Sequence, residues 1–426
     1  MTVTAGSGPE RRAVDRTVDA VWRIESPRLI AGLTRMTHDL AVAEELAQDA
    51  LVAALEQWPR EGVPRNPGAW LMTTAKRRAV DQIRRDRTFA RKLELLGHEL
   101  EIAQGADEGP ADPEEIQDDL LRLVFVACHP VLAREARVAL TLRLLGGLTT
   151  DEIARAFLTG EATVAQRIVR AKRTLAREQV PFEVPSGPAL GERLASVLEV
   201  VYLIFNEGYA ATAGDDWMRP ALCEDALRLA RVLSGLLPRE PEVHGLTALL
   251  ELQSSRAAAR SGPDPVLLAD QDRARWDRLL IRRGFAALAR ADAAAAARGT
   301  PPGPYALQAA IAACHARAAT PGETDWATVA RLYEALSLRA PSPVVELNRA
   351  VAVGMADGPA AGLALADALA AAGCLAGYHL LPAVRGDLLA RLDRRAEARA
   401  AFTEAADLTR NNAERTLLLR RAAESA

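Results

Sequence analysis

The stretch 134–177 leaves this chain the least conformational choice. Arg134 to Leu145 reads as a helix stopped by Gly146-Gly147. Thr149 then stands where an N-cap belongs, with Glu152 three residues on, the spacing of a capping box. A short turn, Leu158-Thr159-Gly160, starts a further helix around Thr163. This is helix-turn-helix spacing. Val164, Ile168, Ala171 and Leu175 recur at helical intervals and are expected to face inward. Ala162, Gln166, Val169, Arg170, Arg173 and Arg177 then face outward. A capped helix with a basic outer face suits the major groove, with base edges near its start and phosphates along its flank.

The rest of the chain points the same way. Aromatic residues are only 4% of its 426 residues, and runs such as 293–297 are pure alanine, a strong helix former and a poor strand former. We therefore expect an all-α chain of two or three domains. The formal net charge of −3 excludes a uniformly basic coat but hides an alternation. Residues 76–92 carry eight basic and two acidic groups, residues 99–119 nine acidic groups and no basic one, and residues 163–177 five basic groups and no acidic one. Gly105, Gly109, Pro110 and Pro113 punctuate the acidic stretch, which reads as a linker. The four cysteines are far apart with no C-x-x-C pair, which argues against a disulfide scaffold or zinc ribbon. No histidine pair has metal-ligand spacing, so neither metal nor cofactor is expected. Cys128-His129 reads as a packed thiol and a helix-end histidine. With neither a leader-like start nor a long apolar run, the expectation is a cytoplasmic protein without membrane attachment.

Ahead of the linker, Leu40, Ala43, Leu46, Ala47, Ala50, Leu51, Ala54 and Leu55 form one apolar helix face, with Glu44, Glu45, Gln48 and Asp49 opposite. Residues 58–68 hold three prolines and two glycines and are expected to be a stiff loop rather than helix. A basic helix opens at Ala69-Trp70-Leu71. Beyond a Pro-rich break at 180–188, apolar segments such as 326–336 with 343–355, and 378–392 with 396–406, suggest tetratricopeptide-like helical hairpins.

These segments resemble a known family. Residues 15–180 are similar to bacterial RNA polymerase sigma factors of the extracytoplasmic-function type. The N-terminal likeness lies in 43–50, Trp58-Pro59 and 67–71, the C-terminal one in 136–157 and 162–175. Residues 202–209 and 267–276 resemble a subgroup with a long tetratricopeptide-like extension. The resemblance implies four segments. These are an N-terminal sigma domain over 10–98, an acidic linker over 99–119, a helix-turn-helix domain over 120–180 and a helical-repeat extension over 189–426.

It also implies roles. Glu44, Glu45, Gln48 and Asp49 match the surface that docks on core RNA polymerase. Loop 59–68, with Arg65, Asn66 and the nearby Trp70, matches the region that captures a flipped base of the minus-ten promoter element. Arg77, Arg78, Arg84 and Arg85 match the basic helix that meets duplex and melted strand. Thr163, Gln166 and Arg170 match the helix that reads the minus-thirty-five element, and Arg167, Lys172 and Arg173 suit its phosphates. The acidic linker matches a segment that threads the polymerase cleft. Two positions depart from the family's usual pattern, Lys76-Arg77 in the basic helix and Ala165 in the recognition helix, and both bear on which promoter is read.

The resulting expectation is a non-enzymatic initiation factor whose partners are core RNA polymerase and promoter DNA. Its extension either folds back on the sigma domains or receives a regulatory protein. A conventional helix-turn-helix repressor with a sensing helical domain is the alternative, and it leaves the first unit unexplained. Asn206, Glu207 and Tyr209 in an apolar segment could line a pocket, although capping or bridging helices is their ordinary role.

Overall fold

The computed structural model describes residues 8–90, 113–262 and 265–425, with side chains over 17–80, 117–262 and 265–425. Among these residues the chain is all-α; β-type pairing is limited to one isolated bridge between Gly214 and Asn411. It divides into two compact units, 1–200 and 201–426.

The first unit begins with α1 (Gly8–Thr37), α2 (Leu40–Glu61) and α3 (Pro67–Ala90). It continues with α4 (Pro113–Ala127), α5 (Arg134–Leu144), α6 (Thr150–Ala156) and α7 (Glu161–Arg177). The division falls within α8 (Pro188–Tyr209). Asp39 caps α2, its Oδ1 accepting from the backbone N–H of Ala41 at 2.7 Å and of Val42 at 3.1 Å. α1 packs on α2, α3 and α4, and α5 packs on α4 and α7.

The helix-turn-helix forms as its sequence dictates. Thr149 and Glu152 make a reciprocal capping box, with bonds of 3.1 and 2.8 Å. Gly147 sits at φ +71, a backbone conformation that a side chain would strain. The buried residues of α7 are Val164, Ile168, Ala171 and Leu175, the expected inward set.

Two expectations need correction. Residues 58–68 are not all loop: α2 runs on through Trp58-Pro59-Arg60-Glu61, and α3 starts at Pro67. Pro59 is tolerated because it sits in the last turn, where the carbonyl it leaves without a helical donor belongs to Leu55, an exposed residue. The connection shrinks to 62–66, with Gly62 at φ +85. The acidic linker ends early as well: residues 113–119 belong to α4, whose Asp119 is buried and ion-paired to Arg35 and Arg122. The part of the linker over 99–112 lies outside the described residues. The two sigma-like segments lie together in the first compact unit.

The second unit carries the remaining helices in succession. They are α9 (Pro220–Leu236), α10 (Pro241–Ser254), the single turn α11 (Ala257–Arg260), α12 (Arg278–Ala297) and α13 (Pro304–Arg317). Then come α14 (Trp326–Arg339), α15 (Pro343–Ala356), α16 (Pro359–Ala371), α17 (Leu380–Arg391), α18 (Arg395–Leu408) and α19 (Asn412–Glu424). Proline opens α9, α10, α13, α15 and α16, where its missing N–H costs nothing. From α12 onward each helix packs on the next. α10 is embedded among α9, α12 and α13, and every residue from Val243 to Leu252 is buried. α15 and α16 approach so closely that a Cβ on Gly362 would lie 2.7 Å from the Cα of Gly354. No described helix is long and apolar enough to cross a membrane.

Candidate nucleic-acid interface

The outer face of α7 is exposed at Thr163, Gln166, Arg170 and Arg173, and half-buried at Arg167. Its apolar face packs inward, so the polar stripe is held by the core of the unit rather than by its own contacts. Three basic side chains, Arg167, Arg170 and Arg173, lie within about two helical turns on this stripe, the pattern that favours a phosphate backbone.

In the N-terminal helices, Arg65 is exposed in the 62–66 connection. Asn66 is exposed too, but its Oδ1 accepts from the N–H of Ala69 at 3.1 Å, so it caps α3. Trp70 is half-buried and meets the buried Trp58 edge-on, centroids 5.4 Å apart. Arg77 is exposed. Arg78 donates to the backbone oxygen of Asp49 at 2.9 Å and pairs with its carboxylate at 3.3 Å. One residue expected on DNA and one expected on polymerase are therefore tied together. The side chains of Arg84 and Arg85 lie outside the described residues, although both belong to α3.

The expected polymerase face is split. Glu45 and Asp49 are exposed and Gln48 is half-buried, but Glu44 is only 5% exposed. Glu44 accepts from Arg143 Nε at 2.8 Å and from Gln48 at 3.0 Å, and it is ion-paired to Lys172. This corrects two expectations: Glu44 is not on an open surface, and the Lys172 ammonium is engaged by a carboxylate rather than directed to phosphate. Burial alone would raise the Glu44 pKa, but Lys172 and Arg143 together outweigh it and hold the carboxyl below its ordinary value of 4.5. Helical periodicity placed Glu44 opposite the apolar face. It could not place α5 and α7 against that opposite side.

The clasp is wider than one pair. Arg23 meets Glu152 at 2.8 Å and Arg35 meets Asp119 at 3.0 Å, so α1 and α2 are both bridged to α4–α7. A groove of about 540 Å³ runs between the start of α2 and α7, lined by Glu45, Gln48, Val169 and Arg173 among others. Arg143 was not singled out from sequence. It sits in the last turn of α5, and no spacing signal marks it.

Cys128 is buried against Thr141 Oγ1 at 3.3 Å, and burial pushes its thiol up to about 11, which makes it inert packing. Glu207 is ion-paired to Arg219 and accepts from Thr212, so it bridges local structure as its ordinary role suggests. Among the described residues no group of three His, Cys, Asp or Glu side chains could hold a metal ion.

Comparison with known proteins assigns these helices. Residues 22–89 match Sigma-70 region 2 and residues 122–175 match Sigma-70, region 4. Residues 193–292 match a family of unknown function, DUF6596. SigK, an ECF RNA polymerase sigma factor of Mycobacterium ulcerans, is 28% identical over 156 residues, covering 35% of this chain and 78% of that protein. SigL, an ECF RNA polymerase sigma factor of Mycobacterium tuberculosis, is 29% identical over 142 residues, covering 33% and 76%. No solved structure matches. Regions 2 and 4 in order, on these helices, support an ECF-type sigma factor with a role in transcription initiation. More particularly, the chain belongs to one family with the uncharacterized protein R00370 of Rhizobium meliloti. The two are 44% identical over 391 residues, which is 91% of each.

Proposed function

We propose that this sigma factor binds core RNA polymerase through the exposed part of α2, reads two promoter elements, and does so only after the clasp at Glu44 opens. The observation that carries this reading is the ion-paired burial of Glu44 between Arg143 and Lys172. Region 4 thus covers part of the face that region 2 would offer to polymerase.

Simple lengths support it. The minus-ten and minus-thirty-five elements lie about 25 base pairs apart, or about 85 Å at ~3.4 Å per pair. A compact unit of this size has a radius of gyration of about 16 Å. It cannot touch both elements while closed. Promoter engagement therefore needs α1–α3 and α4–α7 to part. Once apart, Gln166 and Arg170 are free to read base edges, with Arg167 and Arg173 on phosphates. Arg65 and Trp70 would hold a flipped base in the melted strand, at an unstacking cost of a few kcal/mol that stacking and polar contacts offset. Arg77 would contribute phosphate affinity without sequence choice. Residues 189–426 would set how readily opening occurs, alone or with a regulatory protein.

The test is in vitro transcription with core polymerase on genomic fragments, using the full chain. Transcripts that require the added protein, and that disappear with Gln166→Ala plus Arg170→Ala, are the expected result. Tight duplex binding without polymerase and no transcript would overturn the reading in favour of a repressor.

A further inference from the structure

The second unit holds a cavity of about 800 Å³, inside the range of small-molecule sites. Its walls include Tyr202, Phe205, Tyr209, Trp217 and Tyr333, so most of the lining is apolar or aromatic. Three arginines also line it: Arg421 is paired with Asp387, whereas Arg256 and Arg260 stand four residues apart, at the N-cap and the last residue of α11. They are 4% and 6% exposed.

These two guanidiniums are not neutralised. Arg256 Nε and Nη2 and Arg260 Nη1 are buried without a hydrogen-bond acceptor. Among the described residues, neither arginine has a carboxylate at ion-pair distance. The two carboxylates on the cavity wall are taken: Asp387 pairs with Arg421, and Glu414 with His379 at 3.2 Å. What holds the arginines is aromatic. Arg260 lies 3.5 Å over the Tyr209 ring and 4.6 Å over Trp217, and Arg256 lies 5.0 Å over Trp276.

Arg273 gives the contrast. It is also buried, but it donates to the carbonyls of His315 and Ala318, both at 2.7 Å, and to Thr324 Oγ1 at 3.2 Å. Both terminal nitrogens of Arg273 are thus satisfied, although its Nε is buried without an acceptor and it too lies 5.0 Å over Trp276. Arg256 and Arg260 lack such a set of carbonyl and hydroxyl acceptors and are held by aromatic stacking, with terminal donors left over. Burying charge without a partner is costly, and a bidentate anion is the partner a guanidinium fits best. The amide oxygens of Gln253 and Gln271, also on the wall, are buried without donors. They would suit a hydroxyl or amine on the same ligand.

We propose that this cavity binds a small organic anion, a carboxylate or phosphate monoester on a flat apolar body, with Arg256 and Arg260 gripping the anionic group. Occupancy would give the extension a chemical input of its own. The proposal stands apart from the polymerase reading, because binding is measured without polymerase or DNA.

The experiment titrates the full chain calorimetrically with 4-hydroxyphenylacetate and with phenyl phosphate, which separates the carboxylate from the phosphate arm. 4-Hydroxyphenylacetamide is the neutral control and inorganic phosphate the bare anion. Saturable binding of either aryl anion is expected, at least tenfold tighter than the amide or inorganic phosphate, with a rise in melting temperature of about 3 °C or more near saturation. Arg256→Gln and Arg260→Gln should each abolish that response while the free protein melts no lower than wild type. Arg273→Gln should melt lower, because three acceptors lose their donor. The proposal is overturned if neither aryl anion binds, or if the amide or inorganic phosphate binds as tightly. It is equally overturned if Arg256→Gln and Arg260→Gln fail to fold or destabilise the chain as Arg273→Gln does, since the arginines would then be structural.

Discussion

Replacing Arg143 by Gln tests the closed state from the side that carries no proposed polymerase or DNA contact. Arg143 Nε donates to Glu44 at 2.8 Å, and Nη1 donates to the Leu148 carbonyl at 3.1 Å within the helix-turn-helix itself. The Glu44 side chain is 7% exposed and that of Arg143 23%, so the pair is shielded enough to matter. Lys172 remains on Glu44, so the carboxylate is not orphaned. The loss across the clasp is then one charge-assisted hydrogen bond, about 1.5–3 kcal/mol, since the bond to Leu148 lies within the helix-turn-helix and is absent from the variant whether open or closed. If closing competes with polymerase, the open fraction rises by about 10- to 150-fold, and apparent polymerase affinity rises with it until opening is complete. The assay is energy transfer between dyes on Glu56→Cys and Ala162→Cys, both exposed positions, with Cys374→Ser, alongside titration with core polymerase. Transfer should fall and affinity should rise together. Unchanged transfer and unchanged affinity in a chain with native circular dichroism would refute the reasoning. The same clasp has a pH sign. The Glu44 carboxyl titrates below 4.5, so its contribution is fully present above that value and is lost only as pH falls through its lower folded value.

Other expectations follow from individual contacts. His315 is 6% exposed, and burial, with Arg256 and Arg273 nearby, lowers its pKa from 6.5 to about 3. The unfolded chain therefore takes up a proton that the fold refuses, so the second unit should lose about 1.4 kcal/mol per pH unit as pH drops below 6.5. Chemical denaturation from pH 7 to 4 checks this, and His315→Gln should flatten the slope. Thr149→Ala removes half of the capping box and should cost about 1 kcal/mol by urea denaturation of the first unit. Replacing both Arg167 and Arg173 by Ala should weaken promoter binding by the polymerase complex. If both meet phosphate, the log-affinity against log-salt slope should become shallower by about 2, and Arg177→Ala serves as a comparison farther along α7.

How much was legible in advance differs between elements. The inward set of α7 and the box at Thr149 were readable because both are local: one depends on helical period, the other on a pair of residues three positions apart. The extent of α2 was misread because a proline in a last turn costs far less than one in a helix interior. α10 showed no amphipathic stripe because α9, α12 and α13 bury it all round, which erases the periodicity that marks a surface helix.

The sequence by itself determined that this chain is helical, that it carries a basic helix-turn-helix behind a basic helix, and that a long helical extension follows. Each of these rests on propensity, period and capping, which act within a few residues. Only the tertiary structure decided that Glu44 is closed in by Arg143 and Lys172, 99 and 128 positions away, and that Arg256 and Arg260 are buried without a counter-charge. Those outcomes depend on which helix faces meet. Charge pairing over such separations follows from packing, and packing is set by the whole core rather than by any window of the chain.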